Sequence, residues 1–307
     1  MVRYAAPSAP AMQALESMRR KRMIQSVYFE RMPVDTDAAV IENRRLSPDY
    51  NVLSFDAPGL AATVRPGQFV MVKTSRGLDP LLRRPFSVFE VLRNADGRAL
   101  GFSIFNKSIG TGTRLLSEIE SGARLNVLGP LGRPFEPVDP PADAWMIAGG
   151  VGLAPFVTLA EALAARGTRA TLFYGARRGE ELHCVDLFEA LGVRSVLATE
   201  DGSRGVRGRI TAPLEEELRA CPLGQPVKLY ACGPTPMMRA CADLARAHGR
   251  ACDVSLEQVM GCGLGGCYSC VVMARTGEGA APHHTRTCIE GPVFDASRIV
   301  WGSLAGH

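Results

Sequence analysis

Between residues 38 and 137, apolar positions come in short runs broken by turn residues. Ala39-Val40-Ile41 opens one run, residues 50–55 alternate, and Pro66-Gly67-Gln68 turns the chain into Phe69-Val70-Met71-Val72. Residues 85–91 and 100–105 follow, joined through Asn94-Ala95-Asp96-Gly97, and 125–128 precede a Gly129-Pro130 turn. Only 113–119 has helical spacing. Many short strands with regular turn signals predict a small antiparallel barrel. From about residue 142 to 248 the pattern changes. Apolar runs at 144–148, 170–174, 195–199 and 227–232 alternate with helical stretches at 154–166, 182–191, 213–220 and 236–248. Such alternation predicts a parallel sheet with helices on both faces. The residues beyond 250 carry a cysteine-rich loop, and no internal repeat is visible.

The predicted organisation is therefore multidomain, α/β plus β. It consists of an N-terminal extension (1–36), a β-barrel domain (37–138), an α/β domain (139–250) and a small C-terminal module (251–307). Length alone, at about 150 residues per domain, would give about two units. A chain that is 46% hydrophobic and 21% charged is globular, and a net charge of +4 calls for no nucleic-acid partner. No apolar run approaches the ~18 residues of a membrane span. The extension holds the basic run Met18-Arg19-Arg20-Lys21-Arg22 and reads as a solvated or frayed tail, with an amphipathic targeting or partner-binding helix as the lesser alternative, and not as a secretory signal. Nine cysteines without such a signal point to the reducing cytoplasm, where thiols stay free or bind metal. Cys184, Cys221, Cys232, Cys241 and Cys252 lie in apolar or helical contexts and read as small hydrophobes.

The other four cysteines carry chemistry. Cys262, Cys267 and Cys270 form a C-x4-C-x2-C loop, and Cys288 follows after seventeen residues. That is the plant-type spacing for a [2Fe–2S] cluster held by four thiolates. Gly263, Gly265 and Gly266 let the loop wrap a cluster and point N–H groups at its sulfurs. Structural zinc usually joins two short two-cysteine knuckles, whereas here three cysteines crowd one loop. Zinc and a disulfide pair stay as the competing readings.

Two glycine turns follow apolar runs of the α/β segment. Gly149-Gly150-Val151-Gly152 opens a helix, and Cys232-Gly233-Pro234 ends another run. In a parallel sheet both fall at the carboxyl edge, where a dinucleotide pyrophosphate meets helix N-termini. Either turn alone reads equally well as packing. In the barrel segment, Arg84-Pro85-Phe86-Ser87 offers a phosphate-clamping arginine, or merely a surface arginine beside a turn. Gly112-Thr113 lies at a helix mouth, as an anion site or a simple cap.

Taken in order, these motifs resemble the ferredoxin–NADP reductase superfamily. The stretches Met260-Gly261-Cys262-Gly263-Leu264-Gly265-Gly266-Cys267-Tyr268-Ser269-Cys270 and Arg286-Thr287-Cys288-Ile289-Glu290-Gly291-Pro292 look like the electron-transfer subunit of NAD-dependent dihydroorotate dehydrogenase. The resemblance covers about residues 38–301. It implies that Arg84, Pro85, Phe86 and Ser87 bind FAD, together with Phe105, Asn106 and Lys107 on the next strand and Gly112 and Thr113 at its phosphates. It implies that Gly149, Gly150, Gly152, Cys232, Gly233 and Pro234 receive the nicotinamide nucleotide, NAD or else NADP. Cys262, Cys267, Cys270 and Cys288 would hold the [2Fe–2S] cluster, with His283 and His284 as loop residues between them. Electrons would come from an FMN-containing catalytic subunit that oxidises dihydroorotate to orotate in pyrimidine biosynthesis, the two subunits forming a heterotetramer. They would leave through FAD to NAD, so no catalytic base is expected in this chain. The same cofactor set also suits a subunit serving a hydrogenase, a sulfide dehydrogenase or a glutamate-synthase-like flavoprotein, or electron flow in reverse. For nucleotide choice, Glu200 and Asp201 would favour NAD, while Arg204, Arg207 and Arg209 could take a 2′-phosphate.

Overall fold

The computed structural model describes residues 32–304 apart from 76, 223 and 278. The basic run at residues 18–22 lies outside the described residues.

Six strands close the barrel: β1 (Val34–Arg45), β2 (Tyr50–Asp56), β3 (Phe69–Val72), β4 (Arg84–Arg93), β5 (Ala99–Lys107) and β6 (Arg124–Leu131). Their order is β1-β2-β5-β4-β3-β6, every neighbour antiparallel. Inward residues Leu53, Phe55, Val70, Val88, Phe102 and Ile104 fill the interior. Two helices attach to the barrel, α1 (Pro58–Ala61) and α2 (Thr111–Glu118), where the sequence pattern predicts only the second. A four-residue helix is too short to display a helical period. The expected Gly129-Pro130 turn lies instead inside β6. The register steps from Phe69↔Leu131 to Met71↔Leu128, so Gly129 and Pro130 together face Val70 as a bulge. A bulge is where a sheet tolerates proline. Residues 50–55 do not alternate in burial either, since every one of them is buried. Tyr50 and Val52, on the outer face, join Phe89 and Phe105 in the same apolar cluster as Phe156 and Leu172 of the next domain.

That domain holds β7 (Asp143–Gly149), α3 (Phe156–Ala165), β8 (Ala170–Ala176), α4 (Val185–Ala190), β9 (Arg194–Thr199), β10 (Val206–Arg207), α5 (Thr211–Ala220), β11 (Val227–Cys232), α6 (Thr235–Ala247) and β12 (Ala251–Ser255). The helix expected over 182–191 is shorter, because a 3-10 turn at Gly179–Glu181 and a left-handed Cys184 (φ 58°) delay its start. The chain then builds the cysteine loop, the hairpin β13 (Val271–Ala274) and β14 (His283–Arg286), and α7 (Thr287–Glu290). It returns to the sheet as β15 (Val293–Asp295). His283 and His284 are thus strand residues opposite Ala274 and Met273, not loop residues. Sheet order is β10-β9-β8-β7-β11-β12-β15, parallel except for β15. From β7 the chain first proceeds outward to β10, then starts again on the other side with β11. That reversal opens a crevice beyond the carboxyl ends of β7 and β11, where ligands of open α/β sheets bind.

The cysteine module packs on the barrel rather than on solvent. Phe69, Met71, Leu128 and Leu131 of β3 and β6 share one apolar cluster with Met260, Cys270 and Cys288. Fully burying a side chain such as Met71 contributes about 1.5–3 kcal/mol. The Arg133 N–H donates to Gly291 O at 2.6 Å and pins the module's far end.

Candidate functional site

The four cysteines of the C-terminal loop fall as two pairs. Cys262 and Cys267 form the outer pair, with Cys267 exposed; Cys270 and Cys288 form the inner pair, both buried against the barrel. Hydrogen bonds from Ser269 and Cys262 pull the Cys267 thiol down to about 6. Burial, followed by contact with Cys270, pushes Cys288 up to about 12. Backbone N–H groups already aim at sulfur: Leu264 N donates to Cys262 Sγ (3.3 Å) and Cys288 N to Cys270 Sγ (3.5 Å). Gly263 (φ 71°) is required here, because a Cβ would stand 2.6 Å from Met71 Cγ. Among the described residues no three His, Cys, Asp or Glu side chains converge on one metal-ion position. A [2Fe–2S] cluster takes two thiolates per iron, so paired cysteines with N–H donors on their sulfurs fit it better than mononuclear zinc.

Met71 links this loop to the predicted flavin strand. Its backbone pairs with Pro85 of β4, while its side chain meets Gly263. Arg84, Pro85, Phe86 and Ser87 are the first residues of β4, and Phe105, Asn106 and Lys107 are the last of β5. The two neighbouring arginines differ. Arg83 is held by Asp35 (2.9 Å) and by Asn126. Arg84 donates only to the carbonyls of Leu82 and Arg83 and pairs with no carboxylate among the described residues. Gly112 lies in the first turn of α2, touching Arg84 and the buried Thr74. Thr113 uses its hydroxyl locally, accepting from Ile109 N (2.9 Å) and Gly110 N (3.0 Å), so any ligand contact falls to its backbone. Asn106 is wholly buried; its amide donates to Asn51 Oδ1 and Thr113 O, leaving Oδ1 without a partner. Ser108 Oγ is likewise buried and unpaired. Unsatisfied polar atoms near a helix start and an arginine that pairs with no carboxylate among the described residues fit a phosphorylated, hydroxyl-rich cofactor such as FAD. The Phe105 ring is enclosed by Tyr50, Phe89 and His183, where it packs the domain junction.

The two glycine turns meet in the crevice. Gly149 ends β7, Gly150 and Gly152 form a 3-10 turn, and Cys232 ends β11 just before Gly233 and Pro234. Gly152 is in backbone contact with Cys232 and Gly233, so a Cβ there would overlap the Cys232 carbonyl. Gly149 is pressed between Pro234 and Met237. The close approach foreseen for a pyrophosphate is therefore spent between the loops themselves, and only Gly150 faces open space. Further along the edge, Asp201 accepts from Ser203 N and Oγ, while Arg204 donates to Leu182 O (3.0 Å). The Glu200 carboxylate has no partner among the described residues.

Glu257 and Thr74 lie at these sites without any sequence signal. Glu257 Oε1 is 4.0 Å from Cys232 Sγ, just past the carboxyl end of β12. It keeps solvent access along the crevice, yet surrounding protein raises its pKa, and burial likewise pushes the Cys232 thiol up. Both groups are thereby biased towards their protonated forms.

Comparison with known proteins agrees with this layout. Residues 257–300 match the iron-sulfur cluster binding domain of dihydroorotate dehydrogenase B, and residues 146–243 match an oxidoreductase NAD-binding domain. A dihydroorotate dehydrogenase B (NAD(+)) electron transfer subunit from Desulforamulus reducens is 36% identical, covering 86% of this chain and 98% of the relative. Its counterpart from Geobacillus kaustophilus is 38% identical over 77% of this chain and 87% of its own length. An NADH-dependent reduced ferredoxin–NADP oxidoreductase structure, described for flavin-based electron bifurcation, superposes with a TM-score of 0.75. It is 28% identical and covers 88% of this chain and 91% of its own. A ferredoxin NADP+ reductase from Neisseria gonorrhoeae shares the fold at a TM-score of 0.56, with 18% identity over 70% and 92% of the two chains. With such relatives aligned over most of its length, the chain belongs to the family of dihydroorotate dehydrogenase B (NAD(+)) electron transfer subunits.

Proposed function

We propose that this chain carries electrons between a dihydroorotate-oxidising catalytic subunit and NAD. The observation that carries this reading is the position of β3, with the cysteine loop against one side and the Arg84–Ser87 stretch of β4 on the other. When bound, a [2Fe–2S] cluster passes electrons singly, and FAD converts between single electrons and the hydride exchanged with NAD. The chain's own residues bind and orient. Cys262, Cys267, Cys270 and Cys288 hold the cluster; Arg84 and the start of α2 take the flavin pyrophosphate; Gly150 faces the nucleotide pyrophosphate. Glu200, at the carboxyl end of β9, accepts from the adenosine ribose hydroxyls and favours NAD over NADP. Burial pushes the Cys232 thiol up, so this crevice residue brings no negative charge beside the nicotinamide.

The partner is a catalytic subunit, here read as an FMN-containing one in a heterotetramer. Val259 (66% exposed), Leu264 (52%) and Tyr268 (64%) are exposed apolar residues in or just before the loop that carries the exposed Cys267. Exposed apolar side chains in a loop with an exposed thiol support reading this loop as the face the partner covers. Tyr268 holds a left-handed φ of 57°, and Arg286 lies 5.5 Å from its ring while donating to Gly265 O. Among the described residues no helix is long and apolar enough to cross a membrane, and the reduced thiols of such a site suit the cytoplasm.

The test is to purify the full chain, assay flavin, iron and sulfide, and record electron paramagnetic resonance after reduction. Bound FAD, a [2Fe–2S] signal and dihydroorotate-dependent NAD reduction with an FMN-bearing partner are expected. Protein that never carries flavin or cluster sinks the reading. Loaded protein that couples only to another dehydrogenase overturns its substrate.

A further inference from the structure

Thr74 lies two residues past the end of β3 and is 3% exposed. Its Oγ1 is shut off from solvent and has no hydrogen-bond partner among the described residues. Burying a hydroxyl unpaired is unfavourable, so a fold that keeps one calls for a bonding partner from outside the chain. The side chain is aimed at the start of α2. Oγ1 lies 3.1 Å from the point a Gly112 Cβ would occupy, and Arg84 Cγ lies 3.5 Å from that same point. The leading N–H groups of α2 have no carbonyl partners within the helix. Three groups thus border one space: a hydroxyl, the stem of an arginine that pairs with no carboxylate among the described residues, and helix-start amides. A phosphate, with several acceptor oxygens and negative charge, satisfies all three. Any side chain at position 112 would fill that space.

We propose that Thr74 Oγ1 donates a hydrogen bond to a phosphate oxygen of the FAD pyrophosphate, completing a clamp with Arg84 and the start of α2. The proposal rests on the flavin reading of the barrel. Thr74 belongs to no sequence motif; its role comes from facing Gly112 at the start of α2.

The test compares wild type, Thr74→Val and Thr74→Ser as full-length protein stripped of flavin. Valine keeps the shape and removes the hydroxyl; serine keeps the hydroxyl. FAD affinity is read from quenching of flavin fluorescence, with riboflavin, which has no phosphate, titrated in parallel. Thr74→Val should weaken FAD by about 10- to 100-fold and Thr74→Ser by less than about threefold, with riboflavin unaffected in either. Flavin-free Thr74→Val should melt at or about 1–3 °C above wild type, because it no longer buries an unpaired hydroxyl. Wild-type FAD affinity in Thr74→Val overturns the proposal. So does a joint fall in FAD affinity and flavin-free melting temperature, which would mark a structural role. Wild type that binds no FAD at all sinks the flavin reading, and the Thr74 assignment with it.

Discussion

Glu161 on α3 and Glu90 on β4 face the junction between barrel and sheet, and burial is the leading cause that raises both pKa values. Glu90 raises Glu161 further and Asp186 raises Glu90, while Arg93 relieves Glu161 and Ser103 relieves Glu90. A carboxyl that is harder to ionise in the folded state loses stability as pH rises through its folded pKa. Below its unfolded value, near 4.3, both states are protonated and the penalty vanishes. Glu161→Gln should therefore stabilise the protein at pH 7–8 and make little difference near pH 4. Melting curves of the two proteins across that range check it; a gain that grows towards acid would contradict the sign. At this scale the sequence revealed the residues that sit in motifs. Arg84 stood out, but nothing in the string separates it from Arg83, because the difference is made by Asp35 and Asn126 on other strands. Glu257 and Thr74 had no local signature, since each acquires its neighbours only when distant segments meet.

At the scale of elements, Gly150 and Gly152 look interchangeable in the sequence and have opposite surroundings. A methyl group at Gly152 would overlap the Cys232 carbonyl, a backbone atom that cannot swing aside. One at Gly150 meets nothing within 4 Å and faces only the strain of φ 54°. Gly150→Ala should cost about 1 kcal/mol and keep the fold. Gly152→Ala should cost more than about 3 kcal/mol and part the two turns, abolishing NAD binding. Isothermal titration with NAD together with denaturant melts separates the two outcomes. The long elements were legible because their apolar period repeats several times. α1 was lost for lack of length. β12 was lost because Ala251–Ser255 buries only Cys252, Val254 and Ser255, too short an alternation to recognise. The bulge in β6 was masked by a proline and glycine that normally signal a turn.

For the whole molecule, the four cysteines form an exposure gradient, with the inner pair against the barrel and the outer pair towards solvent, the face proposed above for the partner. Tyr268→Asn keeps a residue that accepts a left-handed backbone and removes the exposed ring. It should leave flavin and cluster content unchanged yet weaken association with the catalytic subunit by about tenfold, measurable by surface plasmon resonance. Unchanged affinity would place the partner elsewhere. The antiparallel pairing of β15 with β12 has a further consequence. The chain leaves the sheet at Ser255 and comes back beside the strand it left, so the cysteine module is a closed excursion fastened at both ends. It cannot act as a swinging carrier on a tether, and electrons must cross a gap set by packing. Residues 256–295 thus bring their own edge strand to the sheet while their cysteines rest on the barrel, so the module locks the two domains together.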